Sequence, residues 1–147
     1  MTETPPAAGR KPAVLFVCQK NGGKSQMAAG LMRLEAGEAV EVSSAGTKPG
    51  EKINALSAEV LLDLGVDIRG EKPKQLTEES MRAAGLVVVL GTDAKVDPVD
   101  GVTVETWETD EPSARGIEGR ERMELVRDDI HARVRELKAR LLTRPSA

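Results

Sequence analysis

Apolar residues first gather in the unbroken run Ala13–Val17, which ends on Cys18. A run without polar alternation suits a strand covered on both faces of a parallel sheet. From Ser25 to Ala36 the period changes. Met27, Leu31 and Leu34 recur at steps of three and four, which predicts a helix with Ser25 available as its N-cap. Val40–Ala45 reads as a second strand and Gly46–Lys52 as a loop. Asn54–Leu64 carries Leu56, Val60, Leu61 and Leu64 at helical spacing until Gly65 stops it. A polar connection over Asp67–Lys74 leads to a short capped helix, Thr77–Ala84, and then to a buried strand, Leu86–Leu90. Thr103–Trp107 predicts a last short strand. Ile117–Leu142 predicts a long helix with Met123, Val126, Ile130, Val134, Leu137 and Leu141 in one stripe.

Strands that alternate with helices imply an α/β fold in three layers, a four-stranded parallel sheet with helices on both faces and right-handed crossovers. A length of 147 residues suits one domain, expected over residues 13–147. Residues 1–12, with Pro5, Pro6 and Pro12 among small and charged neighbours, offer little to pack and are expected to form a flexible tail. Ligands of such sheets gather at the carboxyl ends of strands, which is where Cys18 falls.

Composition narrows the partners. Acidic residues outnumber basic ones by 24 to 21, for a net charge of -3, so the basic excess that nucleic acid requires is missing. No apolar stretch approaches the roughly 18 residues of a membrane span. The opening MTETPPAAGRKP has no apolar core of a secretory signal, so a cytoplasmic location is expected. One cysteine, Cys18, permits no internal disulfide, and one histidine, His131, leaves no cluster with transition-metal spacing, so no metal site is expected. With Phe16, Trp107 and no tyrosine, no aromatic cleft is expected to stack a base or grip a large ring.

The chemistry concentrates in Cys18-Gln19-Lys20-Asn21-Gly22-Gly23-Lys24-Ser25, which joins a buried strand directly to a helix start. Adjacent glycines let the backbone curl until several NH groups point inward as an anion cradle. The Walker pattern fails here, because Cys18 stands where its first glycine belongs. A cysteine, five residues, a cation and a Ser or Thr is a different anion loop, in which the cysteine attacks the bound oxyanion. Cys18, Lys24 and Ser25 fill that pattern. A thiol near a helix start, beside Lys24 and the Ser25 hydroxyl, is expected to ionise at neutral pH.

Four stretches, VLFVCQKNGGKSQMAAGLM, SSAGTKPG, VVVLG and TWETDEPSARGIEGRERMELVRDDI, resemble the low-molecular-weight phosphotyrosine phosphatase family and, within it, the arsenate reductases. NGGKSQMA and TDEPS with GIEG are similar to the single-cysteine branch of arsenate-mycothiol transferases. The resemblance implies Cys18 as nucleophile, Asn21 as the residue that fixes the cradle, and Ser25 as the hydroxyl bonded to the thiolate. It further implies that Gln19, Lys20, Asn21, Gly22, Gly23 and Lys24 hold the oxyanion. Lys24 departs from the family's usual arginine, a point charge in place of a planar fork, which disfavours phosphoryl transfer. The family's general acid lies just before a proline, which leaves Asp110 and Glu111, ahead of Pro112, as joint candidates.

Thioredoxin-coupled arsenate reductases of this fold use two further cysteines, and this chain has neither, so an external thiol must complete the reaction. The resemblance names mycothiol as co-substrate, arsenate as substrate and a mycoredoxin-type redoxin as the protein that acts on the product. A potassium-holding glutamate found in some members corresponds to Ala29, so no such metal is expected. The alternatives are a tyrosine phosphatase of the same fold, with Trp107 as part of a phosphotyrosine rim, and a noncatalytic oxyanion-binding module.

Three further groups read as structural. His131 lies off the main stripe and is expected to be solvated or capping. Arg115, Arg120 and Arg122 interleave with Glu118, Glu121 and Glu124 and read as a surface salt-bridge face. Ser43, Ser44 and Thr47 are expected either to buttress the cradle or to make a turn.

Overall fold

The computed structural model describes residues 11–143; most of the expected N-terminal tail lies outside the described residues. Four strands, β1 (Ala13–Cys18), β2 (Glu41–Gly46), β3 (Leu86–Leu90) and β4 (Thr103–Trp107), pair in parallel in the order β2-β1-β3-β4. Four α-helices connect or cover them: α1 (Lys24–Ala36), α2 (Ala55–Leu62), α3 (Glu78–Ala84) and α4 (Gly119–Thr143).

The period of two along β1 divides the core. Val14, Phe16 and Cys18 face a cluster built from α1, α2 and α4, with Met27, Leu31, Val60, Val126, Ile130, Val134 and Leu137 fully or nearly fully buried. Leu15 and Val17 face the opposite side, where Met81 of α3 and the loop residues Ala94, Val96 and Val99 pack on Val87 and Val89. Helices therefore cover both faces, as the doubly apolar β1 requires. The chain leaves β1 toward β2 on one side and reaches β3 on the other, so the sheet's switch point lies at the carboxyl end of β1. No described helix is long and apolar enough to cross a membrane.

Local signals explain most boundaries. Thr77 and Ser80 form a reciprocal capping box on α3, whose end is marked by Gly85 at a φ of 76°. The Asn54 side chain caps α2 by accepting from the Ser57 amide. That helix ends at Leu62, earlier than its apolar spacing suggests, because Leu64 and Gly65 close back onto Leu61 and Leu62 in a turn. Ser25 is not a cap. α1 begins one residue earlier, behind Gly23, and its stripe stops short of Leu34, which is exposed.

His131 also departs from the solvated or capping role. Its Nε2 sits 2.7 Å from Glu35 Oε2, with Arg135 reaching the same oxygen, so it ties α4 to α1. Trp107 is buried against Phe16, with ring centroids 5.8 Å apart, and its indole NH donates to Glu105. It belongs to the core and offers no rim for a phosphotyrosine ring.

Candidate active site

Five residues carry the chain from the end of β1 to the start of α1, and Asn21 makes the turn with a φ of 55°. Two segments brace the turn from outside. Amides of Thr47, Lys48, Gly50 and Asn54 donate to the carbonyls of Cys18, Gln19, Lys20 and Gly22 at 3.2, 2.8, 2.9 and 2.7 Å. The Asn21 carbonyl accepts from Gln26 Nε2 at 3.2 Å, and the Gly23 carbonyl from the Met27 amide at 2.9 Å. Each carbonyl from 18 to 23 is thus held by a donor. The amides of Gln19, Lys20, Gly22 and Gly23 have no acceptor among the described residues. A turn with occupied carbonyls and unoccupied amides is a concavity of positive partial charge, suited to a small anion.

The bracing leaves no space for side chains at two glycines. A Cβ on Gly46 would stand 2.7 Å from the Gln19 carbonyl oxygen, and one on Gly22 would stand 2.9 Å from that of Lys52. Thr47 thus buttresses the cradle through its backbone amide. Ser44 is buried beside it, and Ser43 is exposed.

Around the sulfur the hydrogen bonds form a chain. The Lys74 amide donates to Asn21 Oδ1 at 2.9 Å, which orients the amide group, so Asn21 Nδ2 donates to Ser25 Oγ at 2.8 Å. Ser25 Oγ accepts from Asn21 and lies 2.9 Å from Cys18 Sγ, where either group can donate; with the sulfur ionised, the serine proton is the one that bridges them. The Asn21 backbone amide adds a second donor to Sγ at 3.3 Å. Asn21, Ser25 and Gln26 are fully buried.

Lys24 extends past the carboxyl end of β3, near Gly91, to a point 3.7 Å from Glu111 Oε1. Glu111 also accepts from Ser113 Oγ at 2.8 Å and from Arg122 at 2.9 Å. The Ser113 hydroxyl, followed by Arg122 and Lys24, holds its carboxyl below the ordinary carboxylate range, against the opposing effect of burial. Asp110 turns toward Arg115, which grips both its oxygens at 2.8 and 3.1 Å and lowers its pKa in the same direction. Of the two acids, Glu111 is the one in contact with a cradle side chain.

A staple from α4 fixes the loop that carries them. Asp129 Oδ2 accepts from the Asp110 amide at 2.8 Å, and Arg133 binds both Asp129 at 3.2 Å and the Glu108 carbonyl at 2.9 Å. The arginines near this loop are therefore more than a surface lattice. Arg115 and Arg122 pair with Asp110 and Glu111, and only Arg120 bonds an interleaved acid, Glu124, while also reaching Glu59 and Asp63 of the α2 region.

Residues 13–145 match the profile of the low molecular weight phosphotyrosine protein phosphatases. The chain belongs to that family. An arsenate reductase of Staphylococcus epidermidis is 30% identical over 128 residues, covering 85% of this chain and 94% of that protein. Among solved structures, a thioredoxin-dependent arsenate reductase of Corynebacterium glutamicum superposes with a TM-score of 0.76 at 34% identity over 92% of this chain. This chain spans 64% of the length of that enzyme. A tyrosine phosphatase of Erwinia amylovora has a TM-score of 0.77 at 18% identity, covering 92% of this chain and 97% of that one, a likeness of fold.

Within this family frame, the fold brings Cys18, Asn21, Lys24, Ser25 and Glu111 together and leaves the Lys20 side chain exposed. Gln26, Lys74, Asp129, Arg133 and, in the strap, Lys48, Gly50 and Asn54 take part without having been singled out from sequence as site residues. Gln26 did carry a signal, since it lies beside Met27 and one turn before Gly30 on the buried face of α1. The others act through backbone groups or across long separations, and residue type does not report either.

Proposed function

We propose that this protein is an arsenate reductase of the transferase type, which passes arsenic from Cys18 to an external low-molecular-weight thiol. The supporting observation is a lone thiol sulfur, 3.3 Å from one amide donor and 2.9 Å from the Ser25 hydroxyl, at the base of a turn with unoccupied amides. The relatives named as arsenate reductases lend the substrate. Arsenate binds as a dianion on the amides of the Gln19–Gly23 turn, with Lys24 beside it. The Cys18 thiolate attacks arsenic, an S–As bond forms and an As–O bond breaks. The departing hydroxide takes a proton and leaves as water, and arsenic stays pentavalent.

Glu111 is the better donor of that proton because it touches Lys24. In the free protein Ser113, Arg122 and Lys24 favour its ionised form. An arsenate that draws Lys24 away and adds its own negative charge raises the proton affinity of Glu111 when the leaving oxygen needs it. Asp110, held by Arg115, remains the alternative donor.

With one cysteine in the chain, no internal disulfide can release the product. An external thiolate attacks arsenic, the Cys18–As bond breaks and the sulfur returns to its starting state. Mycothiol is the proposed thiol. A mycoredoxin-type thiolate then attacks the mycothiol sulfur, the S–As pair moves to arsenic, and arsenite and a mixed disulfide result. Intact-mass analysis of a mixture of protein, arsenate and mycothiol tests the scheme. An arsenic–mycothiol conjugate, absent with Cys18→Ser, is the expected result. Turnover driven by thioredoxin without mycothiol overturns the transfer step, and rapid Cys18-dependent hydrolysis of an aryl phosphate favours the phosphatase reading.

A further inference from the structure

A cavity of about 750 Å³ lies behind the two segments that brace the cradle. One wall is Glu51–Ile53 of the strap whose neighbours Gly50 and Asn54 hold the Lys20 and Gly22 carbonyls. The other includes Glu71 and Lys72, next to the point where the Lys72 carbonyl accepts from Gln26 and the Lys74 amide holds Asn21. The cavity is thus built on the same two segments that fix the reactive turn. Its volume falls within the roughly 300–1,000 Å³ of small-molecule sites.

The lining has two characters. Ile53, Ala55, Ala58 and Leu62 give an apolar floor, and charged residues of both signs form the rim. Arg69 and Glu59 are engaged by Asp67 and Arg120, but Glu51, Lys52, Glu71 and Lys72 have no ion-pair partner among the described residues. Alternating unpaired charges over an apolar floor suit a ligand with hydroxyl, amide or zwitterionic groups and a compact carbon body. A simple anion would meet Glu51 and Glu71.

We infer that this cavity seats the non-reacting body of the external thiol, while its sulfur reaches around the strap to the arsenic on Cys18. The inference rests on the transferase reading above. The distance to be bridged is on the order of 10 Å, since Lys52 abuts Gly22 and only a few residues separate that contact from the sulfur. Sulfur at the end of a flexible arm on a polyhydroxylated or zwitterionic body matches that reach.

Steady-state kinetics of conjugate formation test the assignment in Ala55→Trp, which fills the cavity from an exposed position at the start of α2, and in Glu71→Lys, which reverses a rim charge. Mycothiol is the bodied probe and 2-mercaptoethanol the bodiless one. Ala55→Trp is expected to raise the KM for mycothiol at least tenfold and to leave the KM for arsenate and the rate with 2-mercaptoethanol unchanged. Glu71→Lys should shift the mycothiol KM alone. An unaltered mycothiol KM in both variants, or an equal loss with both thiols, overturns the cavity assignment while the transferase reading stands. Absence of any conjugate from the wild-type protein overturns the transferase reading and this one with it.

Discussion

Asn21 donates from Nδ2 to Ser25 Oγ, and the same oxygen lies 2.9 Å from the Cys18 sulfur. The nucleophile's environment is therefore set in part by the Asn21 side chain, which acts on the sulfur through Ser25. Asn21→Ala removes the donor to Ser25 and the acceptor for Lys74 and Gln26, and it puts a residue without a local hydrogen-bonding side chain at a left-handed φ. The melting temperature should fall by roughly 5–10 °C. Cys18 alkylation by iodoacetamide at pH 7 should slow in the same variant. Wild-type alkylation kinetics would remove Asn21 from the account.

Gly46→Ala drives a methyl group against the Gln19 carbonyl and the Asn21 backbone. The expected outcome is a protein that folds, because Gly46 ends a strand, but binds inorganic phosphate at least tenfold more weakly because the turn is displaced. Isothermal titration measures it, and unchanged affinity would mean that the turn tolerates a shift of several tenths of an ångström.

Lys24→Arg restores a planar two-point donor at the mouth of the cradle. Hydrolysis of p-nitrophenyl phosphate should rise by about tenfold in kcat/KM, the worth of one added charge-assisted hydrogen bond. Equal rates for lysine and arginine would show that Lys24 does not limit phosphoryl chemistry.

Asp129→Ala releases the Asp110 amide and one partner of Arg133, and should free the loop that brings Glu111 to Lys24. kcat for conjugate formation is expected to fall about tenfold with little change in the KM for arsenate. In the double variant with Glu111→Gln the losses should not add, because both act through one carboxylate. Additive losses would assign Asp129 a purely structural role.

Acid stability follows from carboxylates with lowered pKa values. Glu35 is held down first by the His131 hydrogen bond and then by Arg135, Glu105 by Arg140 and Trp107 against the effect of its own burial, and Asp67, bonded by Arg69, to about 2. A group lowered on folding stabilises the native state above its unfolded pKa and loses that contribution as pH falls through the folded one. The urea midpoint should hold from pH 7 to about 5 and decline steadily below that, where Glu35 begins to take up a proton in the unfolded chain. Glu35→Gln should lower the midpoint at pH 7 and make its decline below pH 4.5 shallower. An unchanged slope would mean that the tie to His131 contributes nothing.

What the sequence determined by itself is local or periodic. The apolar run of β1, the alternation of strands with helices, the stripe of α4 and the capping box of α3 depend on neighbours within a few residues, so composition and spacing reveal them. The reactive turn was legible for the same reason, since Cys18, Lys24 and Ser25 lie within eight positions. Tertiary structure decided the rest. Of the two readings of Ser25, helix cap and hydroxyl bonded to the thiolate, the fold keeps the second, with Asn21 behind it. His131, read as solvated or capping, meets Glu35 from 96 positions away, and Glu111, not Asp110, comes to lie 3.7 Å from Lys24. Such contacts carry no period and no spacing. They arise only when the closing of the chain brings distant backbone amides and charged groups within hydrogen-bonding range, where desolvation makes each partner matter.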